Sequence, residues 1–226
     1  MTVTTAPQPP PRRFDGAPRP HTLEAGTTLW RVHSRAYGSA EFNPMQAHEK
    51  FGGNRFDSTA SDPYPYYYAS RLETTALVET LVRGVPFDDR GYRLIPRRAV
   101  KERCLTAIRT ARPLHLISLL SGPDLAAAGQ DERLIRADGG EVYTQTRAVA
   151  HWLRTTASWA EGMIWRSLRD PDQPTLILFG DRCPDAFDAG SATRRDLSDT
   201  DGAKWLNAVL PPYRVAIRPP LTGPAA

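Results

Sequence analysis

Tyr66-Tyr67-Tyr68-Ala69-Ser70-Arg71-Leu72-Glu73-Thr74-Thr75-Ala76-Leu77-Val78-Glu79 is the stretch from which the rest of the chain is read. Tyr64-Pro65 leads into it extended, because the residue before a proline avoids helical angles. In an extended segment Tyr66 and Tyr68 point one way and Tyr67 the other. Ser70 followed three residues later by Glu73 fits a capping box and predicts a helix start. Beyond it Leu72, Ala76, Leu77, Val78, Leu81 and Val82 leave almost no polar face, which places the helix in the core. At about 100° per residue Glu79 falls on that apolar surface, near Thr75, Ala76 and Leu72. A carboxylate there is desolvated unless a partner meets it. Two readings follow: a buried salt bridge to an arginine, or a catalytic carboxylate in a cleft with arginines placed for an anionic substrate.

Working outward, Thr28 to His33 reads as a strand with Trp30 and Val32 on one face and Leu29, Arg31 and His33 on the other. Gly52-Gly53-Asn54-Arg55-Phe56 sets a second arginine beside a glycine pair. Between them lies a loop, with one helical turn expected at Pro44 to Lys50. After the helix Gly84 and Pro86 break the pattern. Residues 87 to 101 are polar and basic and predict a solvated excursion. Cys104 to Ile108 and Leu114 to Leu120 read as short strands, Asp124 to Ala128 as a short helix, and Gly139-Gly140 as a turn. Thr144 to Ala157 is a second amphipathic helix with Ala148, Val149, Trp152 and Leu153 as its stripe. Met163 to Trp165 and Thr175 to Phe179 form a hairpin with a longer loop. Surface loops are expected over 180–201, and a final edge strand from Tyr213 to Ile217.

Short strands with interspersed helices give an α+β class, with one compact domain of mixed and antiparallel strands. The domain is expected over 23–218, flanked by an extended proline-rich tail at 1–22 and a flexible end at 219–226. At 226 residues the chain supports one sizeable core. Its net charge of +4 fits an anionic small molecule, an acidic partner or nucleic acid equally well. Cys104 and Cys183 form no CxxC pair, no apolar run reaches the ~20 residues of a membrane span, and the N-terminus lacks a signal peptide's apolar core. A cytoplasmic protein with no membrane insertion is expected. The five histidines show no metal-ligand spacing, so no metal is expected. No Walker loop, GxGxxG or GxSxG elbow occurs.

Trp30-Arg31-Val32, Gly53-Asn54-Arg55-Phe56, Tyr68-Ala69-Ser70 and Thr75-Ala76-Leu77-Val78-Glu79, in that order, resemble the RES domain. Tyr143 to Ala150, Gly162-Met163-Ile164-Trp165-Arg166-Ser167 and Leu176 to Phe179 extend the resemblance to about 29–180. It implies an ADP-ribosyltransferase-like fold and action on NAD as substrate, without a cofactor. Arg31 and Arg55 are the candidates to clamp the pyrophosphate, since planar guanidinium groups bind phosphate oxygens bidentately; either can instead pair with a carboxylate, Glu79 included. Glu79 is the best match for the carboxylate that stabilises charge developing on the ribose. Tyr68 is the candidate ring platform, with Tyr66 and Tyr67 as rivals. Ser167, the family serine, donates to a phosphate or orients Glu79, and no adjacent base marks it as a nucleophile. Gln145 and Arg147 are weaker pocket candidates.

The resemblance further implies a bacterial toxin neutralised by a helix-turn-helix (Xre-type) antitoxin, with no direct nucleic-acid contact. The ADP-ribosyl acceptor stays open among water, inorganic phosphate and protein. An RNA-cleaving toxin and a non-catalytic binding module are the alternatives. The long stretch between Glu79 and Ser167, including residues 84–140, departs from the family pattern.

Overall fold

Ten strands and five helices alternate along the chain in the computed structural model, which describes residues 6–218. In order they are β1 (Pro20–Leu23), β2 (Thr28–Ser34), β3 (Tyr66–Ser70), α1 (Glu73–Leu81), β4 (Arg93–Ile95), β5 (Arg103–Thr110), β6 (Leu114–Leu119), α2 (Gly122–Ala127), α3 (Arg133–Arg136), α4 (Gly140–Thr156), β7 (Gly162–Arg166), β8 (Pro174–Phe179), β9 (Phe187–Asp196), α5 (Thr200–Val209) and β10 (Val215–Ile217). Eight strands make one sheet in the order β1-β6-β7-β8-β3-β2-β5-β9. Only β6 and β7 run parallel in it; the other neighbours are antiparallel.

Alternation along the central strands sorts their side chains into separate cores. Leu29, Tyr67, Ala69, Leu116, Ile164, Leu176 and Leu178 share the inner face. On the outer face Tyr66, Ile117, Met163, Trp165, Ile177 and Phe179 pack against Val149, Ala150 and Leu153 of α4. The β2–β5 half covers its outer face with α1 and α5, where Val32 and Leu105 meet Leu77, Val78, Leu81 and Leu206. The face assignments read from sequence hold for Trp30 and Val32, and for Tyr66 and Tyr68 against Tyr67.

Two helices on one sheet face leave a gap between them, and the strands below open at the same place. β2 pairs β5 from Thr28↔Arg109 to Ser34↔Arg103, and β3 pairs β8 from Tyr66↔Phe179 to Ser70↔Thr175. β2 and β3 meet only at Trp30↔Ser70. The sheet splits below that bridge.

Several sequence expectations are corrected. The capping box does not form: the N-cap is Leu72, without a side-chain cap, because Ser70 stays in β3 and donates to Thr175 Oγ1 at 3.3 Å. The N-terminal tail ends earlier than residue 22, since β1 pairs antiparallel with β6 and Phe14 packs edge-on against Trp152 at 5.0 Å. Residues 1–5 and the end expected at 219–226 lie outside the described residues. Residues 44–50 form no helical turn. The basic stretch 87–101 is anchored rather than solvated: β4 pairs parallel with β10, and Ile95 and Val100 are buried. β10 therefore belongs to a two-stranded ribbon and not to the edge of the main sheet. The loops expected over 180–201 contain β9, a polar strand on the sheet edge that no hydrophobic alternation announces. α4 starts at Gly140 where a turn was expected, and Ala148 of its expected stripe is exposed.

Candidate active site

The split between β2 and β3, roofed by α1 and α4, holds a cavity of about 510 Å³. That volume lies in the range of small-molecule sites. Trp30 and Val32 line it from β2, Tyr68 and Ser70 from β3, Glu79 from α1, Arg83 from the turn that follows α1, Tyr143 from α4, and Asn54 and Arg55 from the glycine-pair loop. Five arginines (31, 55, 83, 103 and 169) stand around it against the single carboxylate of Glu79. The field in the cavity favours an anion.

Glu79 is half-buried and held from behind. Its Oε1 accepts the Ser167 hydroxyl at 2.5 Å and the backbone N–H groups of Leu168 at 2.8 Å and Arg169 at 3.3 Å. Oε2 has the Arg169 guanidinium at 3.8 Å and, among the described residues, no hydrogen bond. One oxygen is thus immobilised, and the other is left without a hydrogen bond in a residue that lines the cavity. The loop after β7 that supplies these donors is itself clamped: Ser167 Oγ accepts from the Arg169 and Asp170 backbone, and Asp170 takes the hydroxyls of Thr75 at 2.6 Å and Tyr213 at 2.9 Å. Neither Arg31 nor Arg55 pairs with Glu79 directly.

The model of the RES domain matches residues 28–200. The chain belongs to the RES domain family. Its fold is similar to a chain of the M. tuberculosis MbcT–MbcA toxin–antitoxin complex, at 16% sequence identity and a TM-score of 0.51, over 78% of this chain and 87% of that one. The architecture is the ADP-ribosyltransferase-like α+β fold of RES domains. No curated protein matches the chain in sequence.

Within this RES domain the two expected arginines are buried and lie at the cavity. Arg31 stacks on the Tyr67 ring at 4.3 Å and donates to the Glu41 carbonyl at 2.6 Å. Arg55 donates to the Ala137 carbonyl at 2.6 Å, while its Nε is buried without a partner. Burial lowers the pKa of both below the usual arginine value, yet a guanidinium stays charged at any working pH. Tyr68 is fixed rather than free: its hydroxyl accepts the Phe56 N–H at 3.0 Å and its ring meets Trp165 edge-on at 6.3 Å. Burial raises its pKa well above 10, so it is a neutral phenol.

Ser167 is buried behind Glu79 and does not line the cavity. Gln145 is corrected: it is exposed and not at the cavity, because it lies on the outer side of α4. Arg147 on the same helix is wholly buried, but it serves the loop before Arg55, donating to the carbonyls of Gly52 at 2.9 Å and His48 at 3.1 Å.

Arg83, Arg103, Arg169, Tyr143 and Asp138 were missed from sequence as residues in or beside the cleft. Arg83 donates to Asn54 Oδ1 at 2.7 Å and to the Tyr143 hydroxyl, and Arg169 donates to Asp138 at 2.8 Å. Arg83 follows Glu79 by one helical turn, a spacing that does announce a shared face. Nothing local ties Tyr143, Arg169 or Asp138 to Glu79.

Proposed function

We propose that this chain binds NAD in the cavity between β2 and β3 and breaks its nicotinamide–ribose bond. The observation that carries the reading is Glu79, which lines a cavity ringed by arginines with one oxygen pinned by a hydroxyl and two backbone N–H groups and the other free of hydrogen bonds among the described residues. When the C1′–N bond breaks, its electron pair leaves with nicotinamide and positive charge develops on the ribose. A carboxylate that is already oriented stabilises that charge without reorganising. Its other oxygen also accepts a ribose hydroxyl. Arg31 and Arg55, which both line the cavity, receive the pyrophosphate. The acceptor nucleophile (water, inorganic phosphate or a protein side chain) then adds to C1′ and loses its proton.

Family membership and the likeness to a toxin–antitoxin complex support a bacterial toxin. An antitoxin partner of helix-turn-helix (Xre) type and action in the cytoplasm complete the reading. Among the described residues no helix is long and apolar enough to cross a membrane, and no cluster of ligands suited to a metal occurs.

The test follows NAD loss and nicotinamide release by the purified chain, with and without inorganic phosphate, beside Glu79→Gln. The amide keeps the shape and removes the charge. A fall of at least about 100-fold in turnover with an unchanged melting temperature is expected, the scale of losing one electrostatic stabiliser. Turnover near wild type in folded Glu79→Gln removes Glu79 from the chemistry.

A further inference from the structure

A second cavity, of about 760 Å³, lies on the far side of the loop that holds Glu79. Its walls are mainly apolar, with Leu120, Leu125, Ile135, Leu168 and Pro171, and the charged Asp131, Glu132, Arg136 and Arg166 also line it. One polar side chain in it has no structural explanation. Gln130 is only 6% exposed, and neither its amide nitrogen nor its amide oxygen has a hydrogen-bond partner.

The backbone around Gln130 is well satisfied. α2 closes with the Gly129 N–H on the Ala126 carbonyl and the Gln130 N–H on the Leu125 carbonyl, each at 2.9 Å. Gly129 takes a φ of +64°, and a Cβ there would come within 3.2 Å of the Phe14 ring. This glycine-closed helix end fixes the Gln130 backbone, and Gln130 is part of the cavity wall. A buried amide with both groups unmade is costly, and an apolar side chain would serve the packing better. Its donor and acceptor lie side by side, and they match a ligand edge that offers an acceptor beside a donor.

We infer that this cavity is a binding site for a flat heterocycle carrying an amide-like donor–acceptor edge, the class that includes nicotinamide and the nucleobases. Gln130 pairs with that edge and the apolar walls sandwich the ring. The site is also coupled to Glu79: Ser167 and Leu168 form part of the cavity wall, and their hydroxyl and N–H are the groups that hold the carboxylate. An occupant therefore changes how Glu79 is positioned. This coupling rests on the proposed function, whereas the binding itself does not.

The experiment is methyl NMR on the full chain, titrated separately with nicotinamide and with adenosine. The Leu125, Ile135 and Leu168 methyls report the second cavity, and the Val32 methyls report the cleft. Saturable shifts of the first set are expected with at least one probe, and its identity distinguishes a carboxamide from a base. Gln130→Leu and Gln130→Met are expected to weaken those shifts at least tenfold in affinity while Val32 responds as in wild type. Shifts at Val32 alone, no shifts with either probe, or unchanged affinity in both variants would overturn the site. A chain that binds at Gln130 but never consumes NAD would defeat the proposed function and leave this site standing. The coupling is read from turnover: the probe alters kcat in wild type and not in Gln130→Leu, and an equal effect on both overturns it.

Discussion

Ser167, behind the cleft, and His33, at its edge, show what single side chains contribute there. Ser167 contributes one of the three donors on Glu79 Oε1 and lies outside the cavity. A hydrogen bond to a charged group is worth about 1.5–3 kcal/mol, so Ser167→Ala lowers kcat roughly 10- to 100-fold. KM for NAD stays within a factor of about two, because the binding groups are untouched. A matching rise in KM would make Ser167 a binding residue instead. His33, at the cleft edge of β2, is buried with Nδ1 donating to the Ser34 carbonyl at 2.9 Å and Nε2 accepting from Thr106 at 2.8 Å. Burial, and then the nearby charge of Arg31, lower its pKa from 6.5 to about 4. The unfolded chain therefore takes up this proton first as the pH falls. The stabilisation is complete above pH 6.5 and declines toward pH 4, by about 3 kcal/mol at most. In His33→Gln that part of the slope is absent, which denaturant melts at pH 7, 5.5 and 4.5 would show.

At the scale of elements, α1 carries the catalytic candidate yet begins without a cap. Leu72 sits at the N-cap with extended φ and ψ of −119° and 145°, 43% exposed, and with no side-chain oxygen to meet the first N–H groups. Leu72→Ser is expected to stabilise the chain by about 1 kcal/mol, a rise of roughly 2–4 °C in Tm. An unchanged or lower Tm would mean that the Leu72 side chain packs to more effect than its exposure implies. The same helix shows what sequence can and cannot disclose. Its apolar run and Glu79 were legible because period and composition are local. Its start was misplaced because Ser70 is held by Thr175, far along the chain. The tyrosine strand was legible from alternation alone, whereas β9 was hidden, since a polar edge strand is defined by its pairing with β5. The cleft divides likewise: Arg31, Arg55, Tyr68 and Glu79 were named from motifs, but Asp138, Tyr143 and Arg169 reach Glu79 and Arg83 only through tertiary contacts. Gln145 failed because a position at the start of a helix says nothing about which way the helix faces.

The whole molecule is two packed halves sharing one sheet, with α1 and α5 over one half of its outer face and α4 over the other half of the same face, and the cleft at their junction. A ligand in that cleft touches both halves and has no binding site in the unfolded chain, so it stabilises the fold by mass action. Under the proposed function wild type consumes the ligand and so obscures this effect. Glu79→Gln exposes it, because the arginines and the aromatic wall remain. At 100 times Kd, NAD is expected to add about 2.7 kcal/mol, which corresponds to roughly 5–10 °C in Tm. Combining Glu79→Gln with Arg55→Ala removes most of that rise, since Arg55 lines the cavity and is the proposed partner of the pyrophosphate. Raising the salt from 0.1 to 1 M shrinks the screening length from about 10 to 3 Å and is expected to reduce the rise in Glu79→Gln itself. The melts separate three cases. A rise that needs Arg55, with turnover in wild type, is an NAD-consuming enzyme. A rise without turnover is a binding module built on the same cleft. No rise in folded Glu79→Gln, at NAD concentrations up to several millimolar, means that the arginine-ringed cavity serves another anion.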